Sequence, residues 1–555
     1  MQPKTRTQAE GVGLRKIAKW MALVILLFPA SGTSADPNIS VSPQNRTVIE
    51  GASVTFGVTA NGTLPLSYQW LQNGTNAIGL NQAAMEFSHA QIQDEGVYSV
   101  IVSNAVGAIT SNVATLSVKP ASLFQWAVNG SQGGNFVMGM ALDPEGNCFA
   151  SGYGLNVSKF DPVGTLQWVR NVGTPACVAA DKAGNVFVAG AFSSNTITLG
   201  SVTVTNTHLP SLETFLAKLD GNGDTLWAKA TGPNPSIYNH VVTVTPAGEP
   251  VLARGSEVTK FDPFGNPLWT RQSLIASVTG ISADSMGNIL IGGYGSSNFV
   301  TKFSSNGDVV WAKAISGSGG RLFALAANSN GESFVTGQID VTNMGWGTVV
   351  LTNGKAFDLF VAKLDAAGTV LWAKSAGGPS VDVPHGIGID AEDNCYIAGG
   401  FSDAANFDWA SVVSRGGRDV FVAKYSGSGD VQWVRQAGGA GTDNALALAV
   451  DPSVNSFLNG STFWMASFGE ITLTNSMRFI AKLVHSQPSI SIQRDLGTMI
   501  RLSVLGRANR YFTVHRSTNF LNWVPWVTLP NPTGETDLID PVTALPSIFY
   551  KVTAH

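Results

Sequence analysis

The stretch Phe360-Val-Ala-Lys-Leu-Asp-Ala-Ala-Gly-Thr-Val-Leu-Trp-Ala373 decides the fold of this chain. It reads as an apolar strand carrying Lys363, a tight Asp365-x-x-Gly368 turn, and a second strand carrying Trp372. In such a turn Asp accepts backbone hydrogen bonds and Gly supplies positive φ. The same pattern recurs seven times. Its tryptophans are Trp126, Trp168, Trp227, Trp269, Trp311, Trp372 and Trp433, and its lysines are Lys159, Lys218, Lys260, Lys302, Lys363, Lys424 and Lys482. Self-similarity at this period signals stacked supersecondary units.

Unit six shows all its strands. They are Gly386-Ile-Gly-Ile-Asp390, Cys395-Tyr-Ile-Ala-Gly399 after a Glu392-Asp-Asn394 turn, Phe421-Val-Ala-Lys-Tyr425, and Val431-Gln-Trp-Val434. Four antiparallel strands repeated radially describe a propeller blade. The tryptophan spacings are 42, 59, 42, 42, 61 and 61, so the longer units carry an insert, read as an extra hairpin at Thr196–Val204. The last unit lacks its tryptophan-bearing fourth strand. The segment 123–128, containing Trp126, precedes the first full unit and is expected to complete that last blade and close a ring of seven.

Length, at 555 residues, exceeds a single core. Charged residues are only 13% and glycines number 61, a composition that suits Gly-turned β structure and disfavours disorder, coiled coil or nucleic-acid binding. Residues 1–35 carry Lys4, Arg6, Arg15, Lys16 and Lys19 before an apolar run from Trp20 to Phe28, then small residues to Ala35. This is the pattern of a cleaved signal peptide, and the run is short for a membrane span. No transmembrane segment is expected after cleavage. Removing these residues leaves a net charge of about −8, a sign that disfavours anionic lipid and nucleic acid. Cys148 and Cys395 fall at one repeat position in separate units, and Cys177 lies in an apolar run, so buried free thiols are expected rather than a redox or metal site.

Residues 36–119 hold Gly51-Ala-Ser-Val-Thr-Phe56, Tyr68-Gln-Trp70, Asp94-Glu-Gly-Val-Tyr98 and Val102-Ser-Asn104. On these motifs the segment resembles a bacterial immunoglobulin-like module of the I-set type. The resemblance implies that Trp70 is the core tryptophan and Tyr98 the tyrosine corner. The family's two cysteines are replaced by Val58 and Val100, so apolar contact stands in for the disulfide. Lys119-Pro-Ala-Ser122 is a short linker. Phe360-Val-Ala-Lys-Leu-Asp365 and Phe421-Val-Ala-Lys-Tyr425 resemble a family of bacterial seven-bladed propellers, which implies an exported scaffold or binding protein. Tyr511-Phe-Thr-Val-His-Arg-Ser-Thr-Asn-Phe-Leu-Asn-Trp523 and Ile548-Phe-Tyr-Lys-Val552 resemble a fibronectin-like terminal module. The expected fold class is therefore all-β. An Ig-like sandwich spans 36–119, a seven-bladed β-propeller 120–485, and a small C-terminal β-sandwich-like domain 486–555.

Residues repeated in every blade serve the repeat. The tryptophans are expected as a girdle between blades and the lysines as side chains snorkelling at a blade edge. The Asp220-x-x-Gly223-x-x-x-Trp227 string resembles the docking motif of propellers that hold pyrroloquinoline quinone, but that family's turn is one residue longer. No cofactor and no metal are expected. Unique residues at the channel mouth are better candidates. The first strands end on Asp143, Asp181, Thr245, Asp284, Asn328, Asp390 and Asp451. Eight residues earlier lie Asn135, Asp382 and Asp443, and His240, Arg321 and His385 share the same class of loop. Polar groups around a concave mouth are the default ligand site, against a reading of Asp382 and Asp443 as loop caps. Nucleophile elbows, metalloprotease helices and phosphate loops are all missing. The chain therefore reads as an exported or surface, non-catalytic binding or adhesion protein, expected to be monomeric, with an extracellular protein or carbohydrate ligand. The alternative is a propeller enzyme acting on polysaccharide through mouth carboxylates such as Asp382 and Asp443.

Overall fold

The computed structural model describes residues 34–554 apart from 121, 131–136, 153–155, 174–175, 235–239, 296–297, 316–319, 340–342, 347–348, 353–355, 475–476, 486–488, 496–498, 506–509, 518–523, 532–534 and 542–548. Residues 1–33 of the expected signal peptide lie outside the described residues. The chain is all-β: an Ig-like sandwich, a seven-bladed propeller and a small C-terminal β region. Seven four-stranded sheets are found among the described residues.

Within each sheet the middle strands are apolar on both faces because neighbouring blades cover both. Val186–Phe192 and Asp358–Leu364 are buried at every position, whereas the outer strand Leu166–Asn171 alternates with solvent. The first strands touch in a cycle running from blade one through blade seven and back to blade one. The seventh sheet is assembled from both ends of the repeat. Its first three strands are Asn444–Val450, Ser456–Ser461 and Phe479–His485, and its outer strand is Ser122–Asn129. That outer strand pairs antiparallel with Phe479–His485, placing Trp126 opposite Lys482. The inserts are hairpins between second and third strands, as at Thr196–Leu199 with Val202–Thr205 and Met465–Phe468 with Ile471–Thr474.

The repeated tryptophans and lysines form one device between blades. Lys159 Nζ and Trp168 Nε1 both donate to the Gly221 carbonyl of the next blade, at 3.1 Å each. Lys260 and Trp269 do the same to Ser305 at 3.2 and 3.1 Å. Across the closure, Trp126 from the first strand and Lys482 from the last converge on Pro162 at 3.0 and 3.1 Å.

The lysines do not snorkel at a wet edge. Lys302 and Lys424 are buried and pair with the equally buried Asp284 and Asp390 at 3.1 and 3.0 Å. Those aspartates are the residues that end each first strand. Burial opposes their ionisation, but hydrogen bonds from Asn288 and Asn394 and the lysine charges outweigh it, holding both below the usual carboxylate range. Where the strand-ending Asp is missing, a glutamate four residues on takes its place. Glu249 meets Lys260 at 2.7 Å in the blade with Thr245, and Glu332 meets Lys363 at 2.9 Å in the blade with Asn328. A buried ammonium requires a carboxylate, but not one fixed position for it.

Cys148, Cys177 and Cys395 are buried free thiols. Burial pushes the Cys177 thiol up to about 12, which keeps it uncharged and unreactive at neutral pH.

In the Ig-like segment, Ser67–Gln72 pairs with Gly96–Ser103, setting Trp70 opposite Val100. Trp70 is fully buried and its indole donates to the Gln82 carbonyl at 3.0 Å. Val58 and Val100 are both buried at the positions where the family has cysteines. Beyond the propeller, Ser489–Asp495, Met499–Leu505 and Glu535–Pro541 form one three-stranded sheet. Val524–Asn531, Arg510–Ser517 and Phe549–Ala554 form another.

Candidate binding face

The loops entering the first strands of blades six and seven are built to one plan. Asp382 accepts from the Gly378 amide at 2.9 Å and from the Ser402 amide at 3.3 Å. Asp443 accepts from Gly439 at 2.8 Å and from Phe463 at 3.0 Å. Each carboxylate therefore ties its entry loop to the segment where its own blade's insert begins. Both side chains are fully buried. They hold loops in shape and present no oxygen to the channel.

Each has a second carboxylate beside it. A Cβ built on Gly377 would stand 2.5 Å from Asp358 Oδ1 and 2.6 Å from Asp382 Oδ2. One on Gly438 would stand 2.6 Å from Asp419 Oδ1 and 2.9 Å from Asp443 Oδ2. Burial lifts Asp382 to about 7, and the Asp358 charge adds to the lift. Arg418 lies between the two pairs. Its charge acts on Asp382, and its carbonyl accepts from the Asp443 amide at 2.6 Å.

The six mouth residues expected from sequence are not one constellation. Asn135 lies outside the described residues. His240 is buried at the start of blade three's first strand, opposite Arg254. Arg321 is exposed at the start of blade five's, with its guanidinium 5.8 Å from the Tyr294 ring. His385 sits edge-on to Phe323 of blade five at 5.5 Å. Burial, and then Arg418, push its imidazole down to about 4, so it is neutral above pH 5. Asp382, His385 and Asp443 are thus gathered around Arg418. Arg418, Asp358 and Asp419 did not enter the sequence reading. A signal existed for the two acids. An acid stands five residues before the repeat lysine in the units with Lys218, Lys363 and Lys424, as Glu213, Asp358 and Asp419. In the first of these, Glu213 is satisfied by His208 at 2.7 Å and the Gly232 amide at 2.7 Å.

At blade seven this face exposes a cluster of apolar side chains. Phe463, Trp464 and Met465 project from the loop that Asp443 braces, and Met477, whose carbonyl accepts from the Thr462 amide, is exposed beside them. Trp464 is 73% exposed at φ +69°. The corresponding residue of blade six is Asp403, at φ +57°. Asp tolerates the left-handed region through local hydrogen bonding; a tryptophan gains nothing there and is a genuine outlier.

At the opposite mouth, four blades line a cavity of about 240 Å³ that includes Asp181, Thr245, Asp284 and Asn328. Its two aspartates are committed to Lys218 and Lys302.

Residues 36–104 match the family model described as Immunoglobulin domain. Among curated proteins, the chain is similar to an uncharacterized WD repeat-containing protein, L264, of Acanthamoeba polyphaga mimivirus, with 23% identity over 393 residues. That alignment covers 60% of this chain and 27% of the viral protein. It is also similar to human protogenin, with 28% identity over 138 residues, 22% of this chain and 12% of protogenin. The chain thus spans about a quarter and about an eighth of these relatives. Among solved structures, the Dos1 propeller aligns with 69% of this chain and 81% of its own, at 9% identity and a TM-score of 0.31. Titin domain M7 aligns with 16% of this chain and 96% of its own, at 24% identity and a TM-score of 0.14. The propeller reading rests on the sheets themselves.

Proposed function

We propose that this chain is an exported, non-catalytic binding protein that engages an extracellular protein or carbohydrate through the propeller face carrying the Phe463–Trp464 tip. The observation that carries this reading is Trp464, a large apolar side chain held in solvent on a left-handed backbone. Strain of this kind costs about 1–3 kcal/mol and persists where function uses it. Exposed aromatic side chains are favoured contacts for both ligand classes. The polysaccharide-hydrolase alternative is disfavoured by the burial of Asp382 and Asp443, whose oxygens are taken by backbone amides. The same reading takes residues 1–35 as a cleaved export signal, 36–119 as the Ig-like spacer, 120–485 as the propeller and 486–555 as a fibronectin-like terminal module of a bacterial surface protein.

The test is retention of the purified protein on insoluble cellulose, chitin and xylan and on immobilised extracellular-matrix protein, with reducing-sugar release assayed alongside. Wild type should be retained on one of these without sugar release. Phe463→Ala with Trp464→Ala should weaken that retention about tenfold or more, the scale of a lost aromatic anchor. Equal retention of the double variant, or sugar release by the wild type, would overturn the reading.

A further inference from the structure

Asp419 and Asp443 come from different blades, yet a single point, the Cβ position of Gly438, lies within 2.9 Å of an oxygen from each. Both side chains are fully buried. Gly438 itself sits at φ +146°, so only glycine fits between them. Asp419 uses one oxygen to accept from the Arg415 amide at 3.0 Å. Its other oxygen, Oδ1, has no hydrogen-bond partner among the described residues and is the one nearest the shared point. Asp419 Oδ1 and Asp443 Oδ2 both lie within 2.9 Å of that one point, and two buried carboxylates this near cannot both ionise cheaply, which favours a proton on one of them.

We propose that Asp419 and Asp443 together hold a single proton and act as a pH-sensitive latch on the Phe463–Trp464 tip. When the proton is bound, only one of the two carboxyls is charged and Asp443 keeps its bonds to the Gly439 and Phe463 amides. When it leaves, two buried anions repel across Gly438, and the loops 438–443 and 461–465 loosen together. The charged group that bears on the pair is Arg415, and Arg418, on the same strand, meets Asp443 through its backbone carbonyl. Arg418 is drawn toward Asp382, and its charge also bears on His385, so it is not free to neutralise the pair. The loops 438–442 and 461–465 contain no charged residue at all.

Burial lifts Asp419 to about 6, with the Asp443 charge adding to it, and burial lifts Asp443 as well. The sign follows from linkage. The closed form binds the proton more tightly than the open one, so it is favoured at low pH and loses its advantage as pH rises through about 6. Asp358 and Asp382 likewise both approach one point, the Cβ position of Gly377, one blade earlier.

This inference rests on the reading of the tip as the ligand-contacting element, but its test needs no ligand. Backbone hydrogen exchange of the full chain is followed by mass spectrometry from pH 5 to 8, each rate corrected for intrinsic exchange. Peptides covering Gly438–Asp443 and Ser461–Met465 should exchange about tenfold faster, or more, at pH 7.5 than at pH 5, the equivalent of one pKa unit or more. Peptides from blade four should not change. Asp419→Asn places a neutral amide beside Asp443 and should keep the tip protected to pH 8. A flat wild-type profile overturns the latch even if the variant fails to fold, and so does an Asp419→Asn profile that tracks the wild type. Failure of retention in the binding test with a pH-dependent tip would instead remove the proposed function and leave the latch standing.

Discussion

At the scale of single residues, the clearest constraint is the glycine of the third-to-fourth-strand turn. Gly307 has φ +88°, and a Cβ there would lie 2.8 Å from the Trp269 ring of the neighbouring blade. The glycine thus serves its own turn and gives the next indole a flat surface to lie on. Gly307→Ala adds a left-handed alanine to an overpacked contact, and about 2–5 kcal/mol of destabilisation is expected in urea unfolding. An alanine at Gly74, also at positive φ but with open space around it, should show only the smaller backbone part. Trp464 is the opposite case. Its sequence context is an ordinary run of apolar letters, and nothing in it announces a left-handed backbone. That property comes from a neighbour remote in sequence, Asp443, which fixes the preceding amide.

At the scale of the element, the blade is a strand set wrapped around a buried ion pair. The repeat was legible because Lys, Trp and the Asp-x-x-Gly turn recur at fixed spacing. The pairing of that lysine with the strand-ending aspartate was not, because the two lie on strands separated by a variable insert. Lys218 and Asp181 are 3.2 Å apart although 37 positions separate them, whereas Lys302 and Asp284 are separated by 18. The natural exchange to Asn328 with Glu332 supplies a test. Asp284→Asn leaves Lys302 without its carboxylate and should cost about 3–5 kcal/mol, as breaking buried pairs does. Adding Asn288→Glu supplies the Asn and Glu of blade five, without the Asp393 that also meets Lys363 there, and should restore part of that loss. An unfolding midpoint for the double variant no higher than for Asp284→Asn would show that the two blades handle their lysines differently.

At the scale of the molecule, the ring closes through the same clasp that joins ordinary neighbours. Trp126 and Lys482 are 356 positions apart and act as Trp168 and Lys159 do within a single blade. Closing so long a loop costs entropy that grows only slowly with length, and it covers an edge that would otherwise pair with other chains. Trp126→Ala removes both the indole's burial and its bond to Pro162. A loss of about 3–5 kcal/mol is expected in urea unfolding, together with concentration-dependent association through the loosened Phe479–His485 strand, read by light scattering.

The sequence by itself determined the number and kind of units, the blade's strand order, the module borders to be tested and the split seventh blade. Each of these is written in local periodicity, in turns that need Gly and Asp, and in strands that need apolar faces. Only the tertiary structure decided which polar residues are spent and which are available. It put Asp382 and Asp443 under loops, brought Asp358 and Asp419 against them, sent the lysines inward and left Trp464 outside. Burial, and the company it forces on a charge, depend on neighbouring blades that lie tens to hundreds of residues away along the chain.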